Sequence, residues 1–202
     1  GLSKISEFDC DSVEIVEVSE AVMKAMSDTV TPPGLISLCY KPEPDISELR
    51  ATGSSKFIYL YQIQDPGNAG TILRTADAMG ISAVITSPDS VDMYSPKVVR
   101  STAGSLWHVP VYENVAFTEM DKQFPSVEKF LLSSHAKTSI LDLSIPGDCI
   151  AIFGNEARGV AASDLGSAIT EVTIPMAGRA ESLNLSAAAS IVMFALSSKV
   201  AG

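Results

Sequence analysis

The sequence predicts an α/β fold, with a mainly parallel sheet and helices on both of its faces. From residue 56 onward, short apolar runs alternate with longer segments of helical periodicity, and glycine or proline separates many of them. This alternation is typical of strand–helix–strand units, whose crossover connections make neighbouring strands parallel. Hydrophobic residues account for 46% of the 202 residues and charged residues for 19%, a balance typical of a globular protein with a substantial core.

The apolar runs and the periodic segments give the expected order of elements from residue 56. Strands are predicted at residues 57–63, 83–86, 108–111, 130–134, 149–153 and 171–174. Helices are predicted at residues 68–79, 95–106, 117–124, 161–169 and 187–200. Gly80 follows the first of these helices, where a left-handed residue often ends a helix.

The first 45 residues are predicted to form a small separate segment. Residues 13–18 interleave apolar and acidic side chains, as a half-buried strand does. Ser19 is a good N-cap for a helix at 19–26, and residues 35–40 predict a second strand. The prolines and charges of residues 41–45 favour a linker. We therefore expect an N-terminal segment at 1–45 and a main domain at 46–202, although an edge extension of the main sheet is an open alternative.

The formal net charge of the chain is −10. Residues 1–48 hold ten acids and three lysines, a net of −7, so the rest carries −10 − (−7) = −3. Long-range attraction of a polyanion is therefore weak, although local basic clusters can still bind phosphates.

Several classes of site are not indicated. Cys10, Cys39 and Cys149 are odd in number and widely spaced, which favours buried free thiols in a reducing compartment over a disulfide framework or a zinc site. His108 and His135 are the only histidines, too few for a recognisable metal or Ser-His-Asp site. No apolar run is long enough to span a membrane. We expect a soluble protein of a reducing compartment: the cytoplasm, or an organelle matrix or stroma.

The first segment with candidate functional residues is DPGNAGTILRTA, residues 65–76. Its Asp-Pro-Gly sequence predicts a turn after a buried strand. Asn68 stands where a helix begins, and Arg74 lies near the N-terminal end of the same helix. A purely structural interpretation makes Asn68 a helix cap and pairs Arg74 with Asp77 one turn on.

The second segment is IFGNEARGV, residues 152–160, which follows a predicted strand. A glycine at Gly154 allows a ligand to approach the backbone closely. Glu156 is either an exposed turn acid or a buried carboxylate that needs a partner, such as Arg158, Arg179 or a backbone end.

The third segment is IPMAGRAESLNLS, residues 174–186, which joins a predicted strand to the terminal helix. Ser182 and Asn184 are residue types that accept hydrogen bonds from free N–H groups at a helix start. A strand, a polar loop and a helix in this order are typical of a ligand site in an α/β sheet, although an ordinary connection has the same pattern.

In this order, the three segments resemble the motifs of the SpoU (TrmH-like) family of RNA ribose methyltransferases, within the SPOUT superfamily. The resemblance extends over residues 56–200. It implies transfer of a methyl group from S-adenosylmethionine to a ribose 2′-hydroxyl in rRNA or tRNA, without a metal. It also implies a C-terminal trefoil knot, a homodimer formed through the terminal helix, and an N-terminal remnant of an L30e-like substrate-recognition domain.

The resemblance also assigns residues. The implied catalytic residues are Asn68, Arg74, Glu156, Ser182 and Asn184. The implied cofactor-binding residues are Ser134, Gly154, Ile174, Met176, Ser182 and Leu183. Arg74 either activates the ribose hydroxyl or stabilises the alkoxide that develops there. Ala157 and Leu185 depart from the family pattern, where glycine and valine are common.

Other interpretations of the chain remain open. One is a SPOUT domain that binds cofactor or RNA without efficient turnover, and the net negative charge favours it. Another is an unrelated nucleotide-binding α/β protein, although neither GxGxxG nor a Walker loop is present. The terminal helix is apolar on nearly every side, which predicts a second cover beyond the sheet. Met193 and Phe194 are either contacts with a second copy or ordinary core residues.

Overall fold

The computed structural model describes residues 13–145, 147–166 and 168–198. The chain divides into two compact units, residues 1–42 and 43–202. Cys10 and the last two residues of the predicted terminal helix lie outside the described residues.

In the first unit, the described residues contain one short helix, α1 (Glu20–Met26). Ser19 is its N-cap, and its side chain accepts a hydrogen bond from the Val22 N–H at 3.4 Å. The strands predicted at residues 13–18 and 35–40 were wrong, because both stretches are irregular and mostly exposed. A strand without a paired neighbour is not stable in water, whatever its pattern of side chains.

The second unit contains seven strands and five longer helices among its described residues. The strands are β1 (Lys56–Leu60), β2 (Ala83–Thr86), β3 (Val111–Tyr112), β4 (Glu128–Leu132), β5 (Thr138–Ser139), β6 (Cys149–Phe153) and β7 (Thr170–Thr173). The helices are α2 (Pro66–Ala78), α3 (Pro96–Thr102), α4 (Phe117–Gln123), α5 (Ala162–Leu165) and α6 (Leu185–Ser198). Short 3₁₀ helices span Ile46–Glu48, Ser105–Trp107 and Ile140–Asp142.

The seven strands form one sheet in the order β3-β2-β1-β6-β4-β7-β5, and every pair is parallel. The two central strands, β1 and β6, pair along their whole length, from Lys56–Cys149 to Leu60–Phe153. Both are buried at every position, which explains why they consist almost entirely of apolar residues. The chain therefore has the predicted parallel sheet.

Two clusters of core side chains cover the two faces of the sheet. One cluster joins α2, α3 and α6 to the sheet through residues such as Leu73, Val98 and Val192. The other joins α4 and α5 through residues such as Met120 and Leu165. The predicted placement of helices on both faces is confirmed.

Most predicted elements are present but shorter. The helix predicted at residues 95–106 is α3 followed by the 3₁₀ helix, because Ala103 and Gly104 have positive φ angles that end the helix. The helix predicted at 161–169 ends at Leu165, before a left-handed Gly166. Strand β5, only two residues long, was not predicted.

The two described cysteines differ in environment. Cys149 lies in β6, where burial raises the pKa of its thiol to about 12. Cys39 is a free and exposed thiol, so its predicted burial was wrong. Among the described residues, no helix is both long and apolar enough to cross a membrane, and no group of histidine, cysteine and acidic side chains is arranged to hold a metal ion.

Candidate active site

A cavity of about 720 Å³ opens at the carboxyl edge of the sheet. The loops after β4, β6 and β7 form its walls, together with the first turn of α2. Ligands of open α/β sheets bind at this edge, near the point where the strand order reverses. Here the chain runs outward through β1, β2 and β3, and then returns to the other side of β1.

Nine of the ten sequence-predicted site residues line this one cavity. They are Asn68, Ser134, Gly154, Glu156, Ile174, Met176, Ser182, Leu183 and Asn184. The tenth, Arg74, does not line it. Residues separated by more than a hundred positions in the sequence therefore meet at one place, whereas their chemical roles remain predictions.

Asn68, in the first segment, connects it to the second and third segments. Its Oδ1 accepts a hydrogen bond from Asn184 Nδ2 at 3.0 Å, and its Nδ2 donates to Glu156 Oε1 at 3.3 Å. Its interpretation as the helix cap was wrong, because α2 begins two residues earlier and Asp65 is the cap. The Asp65 carboxylate accepts from the Asn68 N–H at 2.7 Å. The Asn68 side chain is thereby left available to the site.

Glu156 holds the first loop through its carboxylate. The backbone N–H groups of Gln64 and Asp65 donate to it at 3.1–3.3 Å, in addition to the Asn68 amide. Glu156 is exposed. Its hydrogen-bond partners among the described residues are these backbone groups and the Asn68 amide rather than an arginine. Arg158 instead donates to the Gln62 side chain at 3.3 Å.

Asn155 forms a second connection between the loop after β6 and the loop after β1. It is buried, and its Nδ2 donates to the Gln62 carbonyl oxygen at 2.8 Å. Its Oδ1 accepts from the N–H groups of Ala157 and Arg158, which closes the turn after β6. Gln62 has a φ of +52°, an uncommon conformation for a residue with a side chain. The Asn155 hydrogen bond stabilises the loop in this conformation.

Gly154 lines the cavity, but the space that a side chain would occupy here is filled by the protein's own backbone. A Cβ atom on Gly154 would lie 2.6 Å from the backbone of both Gly159 and Val160. The expected reason for this glycine, room for a ligand, was therefore incomplete. The absence of a side chain allows the turn of the second segment to fold back over the end of β6.

The third loop ends in a capped helix start. Asn184 Oδ1 accepts from the N–H groups of Ser186 and Ala187 at 2.9 and 3.3 Å, as an N-cap does. Met176 and Leu183 are each 39% exposed, so they offer apolar surface at the mouth of the cavity.

Arg74 lies on the exposed side of α2. Its expected ion pair with Asp77 was wrong, because Asp77 Oδ2 lies 2.9 Å from His108 Nδ1. That hydrogen bond holds the pKa of the Asp77 carboxyl below its ordinary value. Within the described residues, the Arg74 guanidinium has no ion pair or hydrogen bond.

Comparison with known proteins decides which family has this arrangement. The SpoU rRNA methylase family matches residues 55–194 of the chain. The chain belongs to this family.

Individual members resemble the chain over most of its length. The 23S rRNA (guanosine(2553)-2'-O)-methyltransferase of Bacillus subtilis is 30% identical over 185 residues, which cover 91% of this chain and 73% of that protein. The crystal structure of an RNA 2′-O ribose methyltransferase matches with a TM-score of 0.75 and 32% identity, over 91% of this chain and 71% of the other. The SpoU methyltransferase AviRb from Streptomyces viridochromogenes, solved in complex with the cofactor AdoMet, matches with a TM-score of 0.73 and 27% identity, over 80% and 67% of the two chains.

In this SpoU protein, the cavity also includes residues that the sequence did not point to individually. Ser133 and His135 follow β4, Glu171 belongs to β7, and Asn155 belongs to the second segment. Arg158, which the sequence offered only as a partner for Glu156, also lines the cavity. For Ser133, His135 and Asn155 the available signal was position, because each stands at or just beyond the carboxyl end of a predicted strand. Glu171, at the start of its strand, gave no such signal. The apolar members of the wall, such as those on β4 and β6, were indistinguishable from core residues.

Proposed function

We propose that this protein transfers a methyl group from S-adenosylmethionine to the 2′-hydroxyl of a ribose in RNA, either rRNA or tRNA. Membership of the SpoU family and the similarity to 2′-O-methyltransferases named for rRNA support the reaction. The single observation that carries the proposal is the meeting of three distant sequence segments around one cavity.

The cavity has the size and the lining that a methyl donor of this kind needs. Its volume of about 720 Å³ falls within the range of about 300–1,000 Å³ that is usual for small-molecule sites. Apolar side chains from Ile174, Met176 and Leu183 suit the flat faces of an adenine ring, whereas Ser134 and the backbone beside Gly154 offer polar groups at strand ends. The bound donor supplies an activated methyl group, so the reaction needs no metal.

The residues of this chain act mainly by positioning. The hydrogen bonds that Glu156 accepts from the first segment, and the one that Asn184 donates to Asn68, fix the mutual position of the three loops. A fixed arrangement brings the acceptor oxygen into line with the methyl carbon without further loss of entropy. Ser182 lines the cavity, and in this proposal it contacts the acceptor. The acceptor oxygen gains the methyl group and loses its proton to solvent, and the broken bond between sulfur and the methyl carbon would leave the donor as a neutral thioether.

Arg74 acts by electrostatics in this proposal. A guanidinium stays protonated in proteins, so Arg74 orients an RNA phosphate and stabilises the developing alkoxide. Because Arg74 does not line the cavity of its own chain, the proposal calls for a second copy. Thr75, the next residue, lies 3.1 Å from Ser190 of α6 through their hydroxyl oxygens. The exposed part of α2 that carries Arg74 therefore adjoins α6.

A homodimer formed through α6 fits the exposure of that helix. Ala187, Ile191 and Phe194 are exposed at intervals of four and three residues, which places them on one face of the helix. Phe194 is 63% exposed, an unusual exposure for so large an apolar side chain. Met193, the other expected contact residue, is fully buried and belongs to the core. Sedimentation should show a dimer for the native chain and a monomer for Phe194→Glu.

Complementation between two inactive variants tests whether Arg74 acts on the partner. The Arg74→Ala chain has an intact cavity but lacks the arginine. The Leu183→Glu chain has the arginine but a cavity that is impaired for cofactor binding. In a mixed dimer, the intact cavity of the first variant faces the intact arginine of the second. Activity should recover to about a quarter of the native value, because half of the dimers are mixed and each has one complete site. Mixtures as inactive as the separate variants would place Arg74 at its own cavity, or at none.

Three further features belong to the proposal. The C-terminal part forms a trefoil knot, and residues 1–45 are a remnant of an L30e-like domain that recognises the substrate. The described cysteines, Cys39 and Cys149, are both free, which supports a reducing compartment such as the cytoplasm or an organelle matrix or stroma.

The experiment uses the labelled methyl group of S-adenosylmethionine and total RNA. Methylation of a 2′-hydroxyl protects the neighbouring phosphodiester from alkali, so label should appear in alkali-resistant dinucleotides. Arg74→Ala should abolish the label, whereas the control Lys122→Ala, an exposed change on α4, should keep it. Label in alkali-sensitive mononucleotides would mean that a base is methylated and would overturn the proposed acceptor.

A second function is favoured by one observation, the separation of Arg74 from the cavity. A domain that binds the cofactor or RNA without efficient turnover would bind S-adenosylmethionine in calorimetry and leave RNA unlabelled. It would also give the same result with Arg74→Ala as with the native chain.

A further inference from the structure

Two exposed cations and an exposed tryptophan lie together in a stretch of this acidic protein that has no acid. Residues 93–112, the acid-free segment, contain neither aspartate nor glutamate, although the chain has 24 acids and a net charge of −10. The segment includes α3 and the 3₁₀ helix Ser105–Trp107. Lys97 and Arg100 are exposed on α3, and Trp107, the one tryptophan of the chain, is 62% exposed. Two cations and an indole ring thus face solvent on one short stretch.

The two cations are available to a partner. Within the described part of the chain, neither Lys97 nor Arg100 has a side-chain hydrogen bond or an ion pair. They stand three residues apart on α3, so they project to the same side of the helix. The acids at the two borders of the segment, Asp92 and Glu113, accept hydrogen bonds from backbone N–H groups of its first two residues.

The acid-free segment is fixed to the start of α2, whose first turn lines the cavity. Ser101 of α3 donates to the Pro66 carbonyl oxygen at 3.2 Å, and a Cβ atom on Gly70 would lie 1.7 Å from the Ser101 Oγ. The loop before α3 is also joined to the loop before α2, because the Val91 N–H donates to the Ile63 carbonyl oxygen at 2.7 Å. Both helices follow parallel strands, so both begin at the carboxyl edge where the cavity opens.

We propose that the acid-free segment binds a single-stranded stretch of the acceptor RNA next to the target ribose. Lys97 and Arg100 contact phosphates, and Trp107 stacks on a base. Basic side chains that follow the backbone, together with exposed aromatic rings, are the common means of binding single strands. The inference rests on the proposed function, since it names the surface by which the same substrate is held.

A structural role is the competing explanation for Arg100. It lies in the last turn of α3, where a cation interacts favourably with the helix dipole. That role accounts neither for Lys97, in the first turn, nor for the exposure of Trp107. A merely structural cation would change the stability of the protein when replaced, and would leave the salt dependence of RNA binding unchanged.

The first test measures the salt dependence of binding by fluorescence anisotropy. The probe is a labelled single-stranded RNA of mixed sequence and about 20 nucleotides, titrated between about 50 and 200 mM salt. The slope of log K against log salt is negative, and each lost phosphate contact reduces its steepness by about 0.7 for a single strand. Lys97→Gln with Arg100→Gln should therefore reduce the steepness by about 1.4. Lys122→Gln, on the opposite face of the sheet, should leave the slope as in the native chain. An unchanged slope for the double variant would overturn the proposal.

The second test uses Trp107 itself. Because it is the only tryptophan, its fluorescence should change in a saturable way when the same RNA is added. Trp107→Ala should weaken binding about tenfold, whereas Trp107→Phe, which keeps an aromatic ring, should retain most of the affinity. A fluorescence change on dilution of the protein alone, without RNA, would make the segment a surface between copies of this chain and would contradict the inference.

The experiments distinguish a failure of the proposed reaction from a failure of the proposed RNA-binding surface. If the native chain labels RNA but the double variant binds RNA with the native slope, the function holds and the RNA surface is wrong. If the double variant reduces the steepness of the slope as expected but the native chain labels no RNA, the segment binds RNA and the proposed reaction is wrong.

Discussion

Asn68→Asp tests the connection between the three loops with almost no change of shape. In the native chain, Asn68 Nδ2 donates to Glu156 Oε1 at 3.3 Å and Asn68 Oδ1 accepts from Asn184 Nδ2 at 3.0 Å. The aspartate keeps the second hydrogen bond and turns the first into a contact between two carboxylates. Its effect is therefore electrostatic rather than steric.

Coulomb's law gives the size of the effect. Two unit charges separated by the 3.3 Å between these atoms repel by about 1.3 kcal/mol in water and by about 5 kcal/mol at an effective dielectric constant near 20. The lost hydrogen bond adds about 1 kcal/mol. Asn68 is buried and Glu156 is exposed, so the free energy of unfolding should fall by an intermediate amount, about 3 kcal/mol near pH 7. Asn68→Ala, which removes two hydrogen bonds and adds no charge, should cost about 2 kcal/mol.

Urea denaturation at about pH 7 and about pH 4 separates the two variants. Mutual repulsion raises the pKa of the carboxyl pair in the folded protein above that in the unfolded chain. The destabilisation is therefore complete above the raised pKa and is relieved as the pH falls through it. Relative to the native chain, Asn68→Asp should recover stability at the lower pH and Asn68→Ala should not. An Asn68→Asp variant as stable as the native chain at pH 7, or a parallel pH dependence of both variants, would refute the reasoning.

Three more predictions follow from the described residues. Gly154→Ala places a methyl group 2.6 Å from the backbone of the folded-back turn. The variant should lower the free energy of unfolding by about 1–3 kcal/mol in urea titrations. It should also abolish cofactor binding in calorimetry. In the native protein at about pH 8, a disulfide reagent should label Cys39 and leave Cys149 unmodified until urea is added, because burial raises the pKa of Cys149 to about 12; fast labelling of Cys149 would contradict its burial. The hydrogen bond from His108 lowers the pKa of Asp77 below its ordinary value of 3.8, so the stability it contributes is present above that value and is lost as the pH falls through the lowered pKa; carbon-detected NMR titration should show the Asp77 pKa rising in His108→Ala.

The parallel sheet was predictable because its strands are buried on both faces. The runs at 57–60 and 149–153 are apolar at nearly every position, and the structure pairs them at the centre of the sheet. The two-residue strand β5 was not predictable, since it depends on pairing with β7 rather than on its own side chains. The N-terminal strands failed for the converse reason: they have a suitable pattern but no paired neighbour.

The site shows a similar division. Its residue types were predictable from three segments, because the carboxyl ends of parallel strands meet at one edge. The roles of individual side chains were less so. The purely structural interpretation made Asn68 the cap of its helix, but Asp65 caps it and leaves the Asn68 amide free for hydrogen bonds to the other two segments. Contacts between loops about ninety residues apart, such as that from Asn155 to the Gln62 carbonyl, leave no periodic signal in a single sequence.

Calorimetry with S-adenosylmethionine tests most directly whether the three loops form one methyl-donor site. The native chain should bind one equivalent of the cofactor. Leu183→Glu, which places an acid at the apolar mouth of the cavity, should weaken binding at least about tenfold, or about 1.4 kcal/mol. The control Leu141→Glu, at a side chain that is 62% exposed and outside the cavity, should bind as the native chain does. Absence of binding to the native chain, or equal binding by Leu183→Glu, would contradict the account.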